Sequence, residues 1–564
     1  MKNSQTERLL SIYLAVGAVA VTLAVAINTV TDPVNAPKLF VLGVVGFGVL
    51  FLLGTNNLKS RIRETPSAYI VVVIFIVLGL LTTVTTDSPV SQNIYGAYGR
   101  NNGLLTYVLL SFVLIAATQI RSSRNFELVI VSLFVAGFGN LIYCTWAILF
   151  GDFIPWNNPY GNILGTFGNP NFIGSFFGMF TGAVVAQLFN QKLSRSIKIA
   201  LMVSLPVLLF VTFKSYAIQG RVVAATSVAI VLFFVIRDKY SNKILAPYSL
   251  LVLLVGVLAL LGALQKGPLA ELIYKTSVSL RGQYWAAGIN TGSTHVWTGV
   301  GFDAFGDWYR RTREIRSLTL PGPNTVVNAS HNVPVDIFAF GGIPLLLAYL
   351  VLIFLTLVSS FRYIKGNKKF DPIFVTLFTV WAGYQLQSII SINQIGLATW
   401  GWLLSGCLIA YGVVKPGEQT IASKSSTNSR IAKKGVSYIS PGLVGSLGML
   451  VGALVAVPPL SADLKWRSAQ ISSDYRQILS ALEPGYLNPQ NTYRYLNIAI
   501  ALESSNFNDD ALNVTNQAIK YNPNSFEVWR LAYYLKSSDS ELKAKALTNM
   551  RRLDPLNPDV TLTQ

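Results

Sequence analysis

Long apolar stretches recur along the chain and constrain its fold more than any other feature of the sequence. There are about thirteen, most of them about 18–25 residues long, which is the length that an α-helix needs to cross a bilayer. The hydrocarbon core offers no water to backbone amides, so each stretch must cross as a helix. Only 12% of the residues are charged, whereas soluble domains carry about 25%. The sequence therefore predicts an all-α fold, a polytopic bundle of transmembrane helices.

The loops between these spans differ in charge. The spans are predicted at residues 9–30, 39–54, 68–86, 104–118, 126–150, 171–190, 197–214, 221–236, 247–264, 333–360, 373–391, 396–414 and 442–460. Every second loop is rich in lysine and arginine, and such loops remain in the cytoplasm. This alternation predicts a multi-pass protein of the cell membrane with a cytoplasmic N-terminus and an external C-terminus.

Three polar segments interrupt the series and divide the chain. Residues 1–414 form the predicted membrane domain, which includes a long external loop at 265–332. Residues 415–440 are a Ser/Lys-rich cytoplasmic linker, and 441–460 hold the last span. Residues 461–564 form a polar tail that we expect outside the membrane.

The tail has apolar residues at helical spacing, interrupted by Asn522-Pro523 and Asp554-Pro555. These punctuation points lie about 32 residues apart, close to the tetratricopeptide period of about 34. The tail therefore resembles a short tetratricopeptide-like array. Two interpretations stay open: a platform for a protein partner or acceptor, and a helical cap that folds on the membrane domain.

Net charge and cysteine usage exclude several classes of function. The formal net charge is +19, but no basic domain with interleaved aromatic residues stands apart from the spans, so nucleic-acid binding is not expected. The basic loops instead suit anionic lipid headgroups. The two cysteines, Cys144 and Cys407, both lie in apolar stretches and predict neither a disulfide framework nor a metal site.

Candidate chemistry concentrates on the predicted external side. Arg221 stands at the outer end of a span, and the long loop carries Arg281 and both histidines, His295 and His331. A guanidinium offers a rigid fork of donors that matches phosphate oxygens, and an imidazole can take a proton from a hydroxyl near neutral pH. Together these groups predict glycosyl transfer from a lipid pyrophosphate without a metal or other cofactor.

The same residues can also have purely structural roles. An arginine at the end of a span is commonly an interfacial anchor, and a histidine at a helix start commonly caps or packs. A cluster of four arginines further along the loop is expected to be a solvated or headgroup-facing helix: Arg310, Arg311, Arg313 and Arg316.

Four motifs in fixed order resemble the O-antigen ligase and polymerase superfamily. They are GTFGNPNFIGSFF at 165–177, QGRVVAAT at 219–226, SLRGQYWAAGINTGSTHVWTGVGFDAF at 279–305 and SHNVPVDIFAFGGIPLLLAYL at 330–350. The resemblance covers about residues 10–415. It implies a polytopic enzyme that moves a glycan from undecaprenyl pyrophosphate to an acceptor outside the membrane.

The resemblance also implies roles for individual residues. Arg221 and Arg281 would bind the pyrophosphate, and His331 would act at the acceptor hydroxyl. Substrate contacts are expected from three further residues, Arg100, Asn332 and Asp303, and Trp285 either lines the glycan path as a further contact or packs inside the protein. His295 is expected to be structural, because Val296 replaces the proline that often follows in the family.

The resemblance leaves the acceptor open. A ligase, a polymerase and a protein O-oligosaccharyltransferase share this pattern, so the acceptor hydroxyl can belong to a glycan, a lipid or a protein. Two rivals belong to other classes. A flippase for lipid-linked glycans predicts charges along a central cavity and symmetric halves, and a non-catalytic scaffold for cell-envelope assembly predicts that all function depends on the tail.

Overall fold

The regular elements of the chain are helices throughout the part described by the structure, a computed structural model. That part comprises residues 2–55, 62–155, 158–273, 276–413, 440–472 and 474–561. The helical architecture confirms the all-α prediction. The linker predicted at 415–440 lies outside the described residues apart from Ser440.

The membrane part is a bundle of long apolar helices. Twelve helices of the described ranges are long and apolar enough to cross a membrane. Together with the shorter apolar α5, they are α1 (Lys2–Leu23), α2 (Asn35–Leu53), α3 (Pro66–Thr85), α5 (Leu104–Ala117), α6 (Ser123–Phe150), α7 (Pro170–Leu188), α8 (Arg195–Lys214), α9 (Ile218–Lys239), α10 (Asn242–Ala263), α15 (Val333–Gly366), α16 (Pro372–Ile390), α17 (Ile395–Val413) and α18 (Pro441–Ser472). Each predicted span coincides with one of these helices, so the chain is a multi-pass membrane protein.

Shorter helices fill the connections and the tail. The connection before α5 holds α4 (Val90–Tyr95). The long loop contains α11 (Ala270–Ile273), α12 (Thr276–Thr294), α13 (Phe305–Thr312) and α14 (Arg316–Thr319). The tail contains α19 (Tyr475–Ser480), α20 (Thr492–Ser504), α21 (Asn508–Tyr521), α22 (Phe526–Tyr534), α23 (Ser540–Leu553) and α24 (Pro558–Thr561).

The tail folds against the long loop. Its helices have apolar cores of their own, and α20 packs on α21 while α22 packs on α23. The contact with the loop is ionic: Asp554 accepts hydrogen bonds from Arg310 at 2.9 Å and from Arg313 at 2.7 Å. Glu527 pairs with Arg310 at 2.7 Å. The tetratricopeptide resemblance and the binding of a protein partner stay predictions.

The expectation that the arginine cluster is solvated is therefore wrong for two of its members. Arg310 is 2% exposed and Arg313 is 3% exposed. The guanidinium of Arg310 also lies over the ring of Phe526, 4.4 Å from its centroid. A buried guanidinium is tolerated only when it is paired, and the carboxylates that pair these two residues lie more than 200 positions away in the sequence.

Candidate active site

A break in helix α15 meets a glycine turn of the long loop. The backbone of α15 leaves helical geometry at Gly341 and Gly342, where Gly342 has φ 68° and ψ −167°. The freed carbonyls of Ala339 and Phe340 accept hydrogen bonds from Val300 and Gly301, at 2.9 and 3.0 Å. The Gly-x-Gly turn at 299–301 and the Gly-Ile-Pro motif at 342–344 thus contact each other. This contact fixes the loop against the helix that follows His331.

A substitution at Gly342 tests this contact. Its conformation is open almost only to glycine, and a Cβ there would lie 2.3 Å from the carbonyl oxygen of Val296. We expect Gly342→Ala to lower the free energy of unfolding by about 1–3 kcal/mol or more and to reduce turnover. Thermal unfolding in detergent measures the change. Gly366→Ala is the matched control, because nothing lies within 4 Å of its Cβ position.

His331 stands just before α15 in a left-handed conformation, with φ 60°. Its carbonyl oxygen accepts a hydrogen bond from the indole nitrogen of Trp285 at 3.4 Å. The ring of Tyr284 lies 5.5 Å from the imidazole, centroid to centroid. Two consecutive residues of α12 therefore hold the histidine, and Trp285 contacts its backbone. Substrate contact by Trp285 stays a prediction.

The electrostatic surroundings keep His331 neutral. Burial, together with the positive charges of Arg100 and Arg281, lowers the pKa of His331 to about 3. Both arginines are themselves desolvated, and burial lowers their pKa values. The site thus combines an uncharged imidazole with two nearby guanidinium groups.

The loop that carries Arg100 is held by Asp303. The carboxylate of Asp303 accepts hydrogen bonds from the backbone amides of Ala97 at 2.8 Å and Asn102 at 3.3 Å. Asp303 is buried, and burial raises its pKa to about 6 although Arg100 acts against this shift. Asp303 was predicted to contact substrate, but its carboxylate here holds both ends of the arginine loop. Asp303 is close to Arg100 because its carboxylate binds the backbone of the loop that carries Arg100.

A polar cavity of about 830 Å³ is lined by both Arg100 and His331. Its wall also includes Asn171, Asn393, Gln394 and Arg467 among other residues. This volume is within the range of about 300–1,000 Å³ that is typical of ligand pockets.

Arg281 and Arg221 face different surroundings. Arg281 donates a hydrogen bond to the side chain of Gln219 at 3.1 Å, and Gln219 in turn donates to the carbonyl of Asn171, a cavity residue. Arg221 lies two residues after Gln219 on α9. Because each helical residue turns by about 100°, the two side chains point apart.

Arg221 lines a separate apolar cleft of about 580 Å³ between α8, α9 and α10. Its guanidinium lies over the ring of Phe213, 4.7 Å from the centroid. Ala225 and Val228 continue the wall of this cleft along α9. The structure thus brings Arg100, Arg281 and His331 together and puts Arg221 on a separate cleft.

Asn332 caps the helix rather than facing the cavity with its oxygen. Its side chain accepts a hydrogen bond from the backbone amide of Val335 at 3.1 Å. His295 is distant from this arrangement: its ring packs edge-on against Trp308 at 5.2 Å, and its Nδ1 pairs with Thr294 at 2.9 Å. A substrate contact by Asn332 stays a prediction.

Sequence reasoning missed several residues of the site. Asp336 is buried one turn into α15, where it accepts a hydrogen bond from the amide of Ser330 at 2.7 Å. It also acts electrostatically on Arg100. Gln219 stands two residues before Arg221 in the motif at 219–226, but it was not predicted as a site residue. Arg467 lies on the last long helix, far from the motifs, and no local pattern marks it.

Part of the chain is similar to a known protein family. Residues 184–350 match the family model described as O-antigen ligase. The matched segment contains Arg221, Arg281 and His331, whereas Arg100 lies before it. A search of curated proteins finds no match for the chain. Through residues 184–350, this multi-pass membrane protein is similar to the O-antigen ligase family.

Proposed function

We propose that the chain transfers a glycan from undecaprenyl pyrophosphate to a hydroxyl acceptor at the outer face of the bacterial inner membrane. One observation carries the proposal: a neutral histidine, His331, lies with Arg100 on a large polar cavity and within the electrostatic reach of Arg281. This combination suits a reaction that must neutralise a diphosphate and accept a proton in the same place.

The two arginines are available to the diphosphate. Neither Arg100 nor Arg281 forms an ion pair within 4 Å with any residue of the described ranges. A guanidinium can donate two parallel hydrogen bonds to phosphate oxygens. In the proposed reaction these groups stabilise the charge that develops on the leaving diphosphate, so no metal ion is needed.

The apolar cleft next to the cavity suits the polyprenyl chain of the carrier. Small and branched side chains such as Ala225 and Val228 line it. Arg221 belongs to the same wall, and it can approach a phosphate that enters from the cavity side. The proposed donor thus has its chain in the cleft and its glycan in the cavity.

His331 accepts the proton in this scheme. The acceptor hydroxyl oxygen attacks the anomeric carbon and forms the new glycosidic bond, while the bond from that carbon to the diphosphate oxygen breaks. The diphosphate leaves with the electron pair, and the hydroxyl proton moves to the imidazole. Attack opposite to the leaving group inverts the anomeric centre.

In the proposed reaction, bound donor also increases the basicity of His331. With a pKa of about 3, the imidazole is a weak base. A diphosphate between Arg100 and Arg281 offsets their positive charge, which raises the pKa of the histidine. The base therefore becomes effective when donor is present.

Release of undecaprenyl pyrophosphate tests the proposal directly. Purified protein in nanodiscs is given a polyprenyl-pyrophosphate glycan with sets of lipid, glycan and peptide acceptors. We expect released polyprenyl pyrophosphate and acceptor-linked glycan in equal amounts, unchanged by EDTA. Movement of intact donor across the bilayer without release would instead favour a flippase. The acceptor that turns over distinguishes ligase, polymerase and protein glycosylation.

Replacing Arg281 provides a second prediction. We expect Arg281→Gln to raise the pKa of His331, because one of the positive charges that lowers it is removed. The chain has two histidines, so a His295→Gln background leaves a single imidazole for nitrogen NMR titration. Arg476→Gln, which changes an exposed arginine of the tail, is the control. An unchanged titration of His331 would contradict the electrostatic account.

A further inference from the structure

Three polar side chains on the cavity wall retain atoms without a partner. The Oδ1 atom of Asn393, the Nε2 atom of Gln394 and the Nε atom of Arg467 are buried and make no hydrogen bond to the described protein atoms. Asn393 and Gln394 are only 4% and 3% exposed. Buried polar groups are normally paired, so such a concentration on one cavity indicates a ligand-binding surface.

The two amide side chains are held in place by their other ends. Asn393 donates from Nδ2 to the side-chain oxygen of Asn102 at 3.3 Å. Gln394 accepts at Oε1 from the backbone amide of Leu397 at 3.1 Å. Each therefore keeps one atom without a partner at the cavity wall, an acceptor on Asn393 and a donor on Gln394. This pairing matches a sugar hydroxyl, which both donates and accepts.

Helix α18 brings Arg467 to the same cavity. Four residues earlier, and therefore on the same face, Asp463 accepts hydrogen bonds from the backbone amides of Thr31 at 3.0 Å and Asp32 at 2.7 Å. Asp463 also accepts from the hydroxyl of Tyr98 at 2.9 Å. These bonds fix the helix against the loop between α1 and α2 and leave the oxygens of Asp463 occupied.

Arg467 differs from the other arginines around the tail. Arg310 and Arg313 are neutralised by Asp554, and Arg494 donates to the side chain of Asn488 and the carbonyl of Pro489. Arg467 has no ion pair or hydrogen bond of this kind among the described residues. Its guanidinium is therefore free to bind an anion from the cavity.

We propose that Arg467, Asn393 and Gln394 form a subsite for an acidic sugar residue of the transferred glycan. The inference rests on the proposed function, because it assigns this wall of the cavity to the glycan. The diphosphate has its own cations in Arg100 and Arg281, which lie closest in electrostatic terms to His331. Arg467 then recognises a carboxylate of the sugar, and the two amides bind neighbouring hydroxyl groups.

Binding of two matched oligosaccharides tests the subsite. The probes are a glucuronate-containing tetrasaccharide and its carboxyl-reduced form, titrated into the full-length protein in nanodiscs. We expect the acidic form to bind at least about tenfold more tightly, as a charge-assisted hydrogen bond implies. In Arg467→Gln this ratio falls to near one. Arg476→Gln, on the exposed surface of the tail, keeps the wild-type ratio.

Other outcomes overturn the proposal. Equal affinity of the wild type for the two forms excludes a carboxylate subsite, and so does a ratio that persists in Arg467→Gln. Inorganic pyrophosphate is titrated in parallel: if Arg467→Gln weakens its binding instead, Arg467 belongs to the diphosphate site. A wild type that binds the acidic form selectively but releases no polyprenyl pyrophosphate from any donor refutes the proposed function and leaves the subsite standing.

Discussion

Replacing His331 by asparagine is expected to lower the rate of glycan transfer by about 100- to 10,000-fold, the usual contribution of a general base. Asparagine cannot take the proton of the acceptor hydroxyl. It does adopt the left-handed conformation that His331 has, with φ 60°, more readily than most residues. The loss should therefore come from chemistry and not from a misfolded loop. Initial rates of polyprenyl-pyrophosphate release measure it.

His295→Asn is the matched control for this variant. His295 packs against Trp308 outside the cavity, so we expect turnover close to that of the wild type. Binding of the donor to His331→Asn should persist, because the arginines remain. A His331→Asn protein that keeps more than about a tenth of the wild-type rate would exclude the imidazole as the proton acceptor.

Asp554→Asn is expected to cost the largest share of stability, about 3–5 kcal/mol. The carboxylate of Asp554 is fully buried and neutralises Arg310 and Arg313 together. Asparagine of the same size leaves Arg310 with Glu527 alone, and it leaves the buried guanidinium of Arg313 without an ion pair among the described residues. We expect the tail to detach from the long loop at a lower temperature than the spans unfold. Thermal unfolding and limited proteolysis between 474 and 561 measure this.

The same variant should also slow transfer through a chain of contacts. Asn522 of the tail donates to Asp307, and Gln92 donates both to Asp307 and to the carbonyl of Asp303. Asp303 in turn holds the loop of Arg100. A loosened tail therefore loosens the arginine loop, and turnover falls with the folded fraction of the tail.

Asp509→Asn controls for the loss of a negative charge, because Asp509 is exposed on the tail. It should leave both stability and turnover close to those of the wild type. If Asp554→Asn protected the tail from proteolysis as well as the native residue does, the ionic contact would not hold the two parts together. Deletion of the tail is a poorer test, because residues from 465 onward include Arg467 of the cavity wall.

The membrane architecture was predictable because its cause is local. A bilayer requires about 20 apolar residues in sequence and a helix to satisfy their backbone. Each span is therefore recognisable from one uninterrupted apolar stretch of the sequence. The ordered motifs likewise predicted the family, and residues 184–350 match it.

The site was predictable only in part, because it depends on contacts between distant segments. The resemblance indicated Arg281 and His331, and the structure brings them together with Arg100. The structure does not place Arg221 on the same cavity, since the helical rotation between Gln219 and Arg221 turns Arg221 toward a separate apolar cleft. No pattern in the sequence indicates that Asp303 is buried beneath the loop that carries Arg100.

The sequence by itself determined the helical class, the series of spans and the residue types needed to handle a diphosphate. Only the tertiary structure decided which charges are neutralised and which remain free. Arg313 and Arg467 look alike in the sequence, yet one is paired with Asp554 and the other lines the cavity. The physical reason is that the state of a buried charge depends on its partners in space, and these partners lie hundreds of residues away.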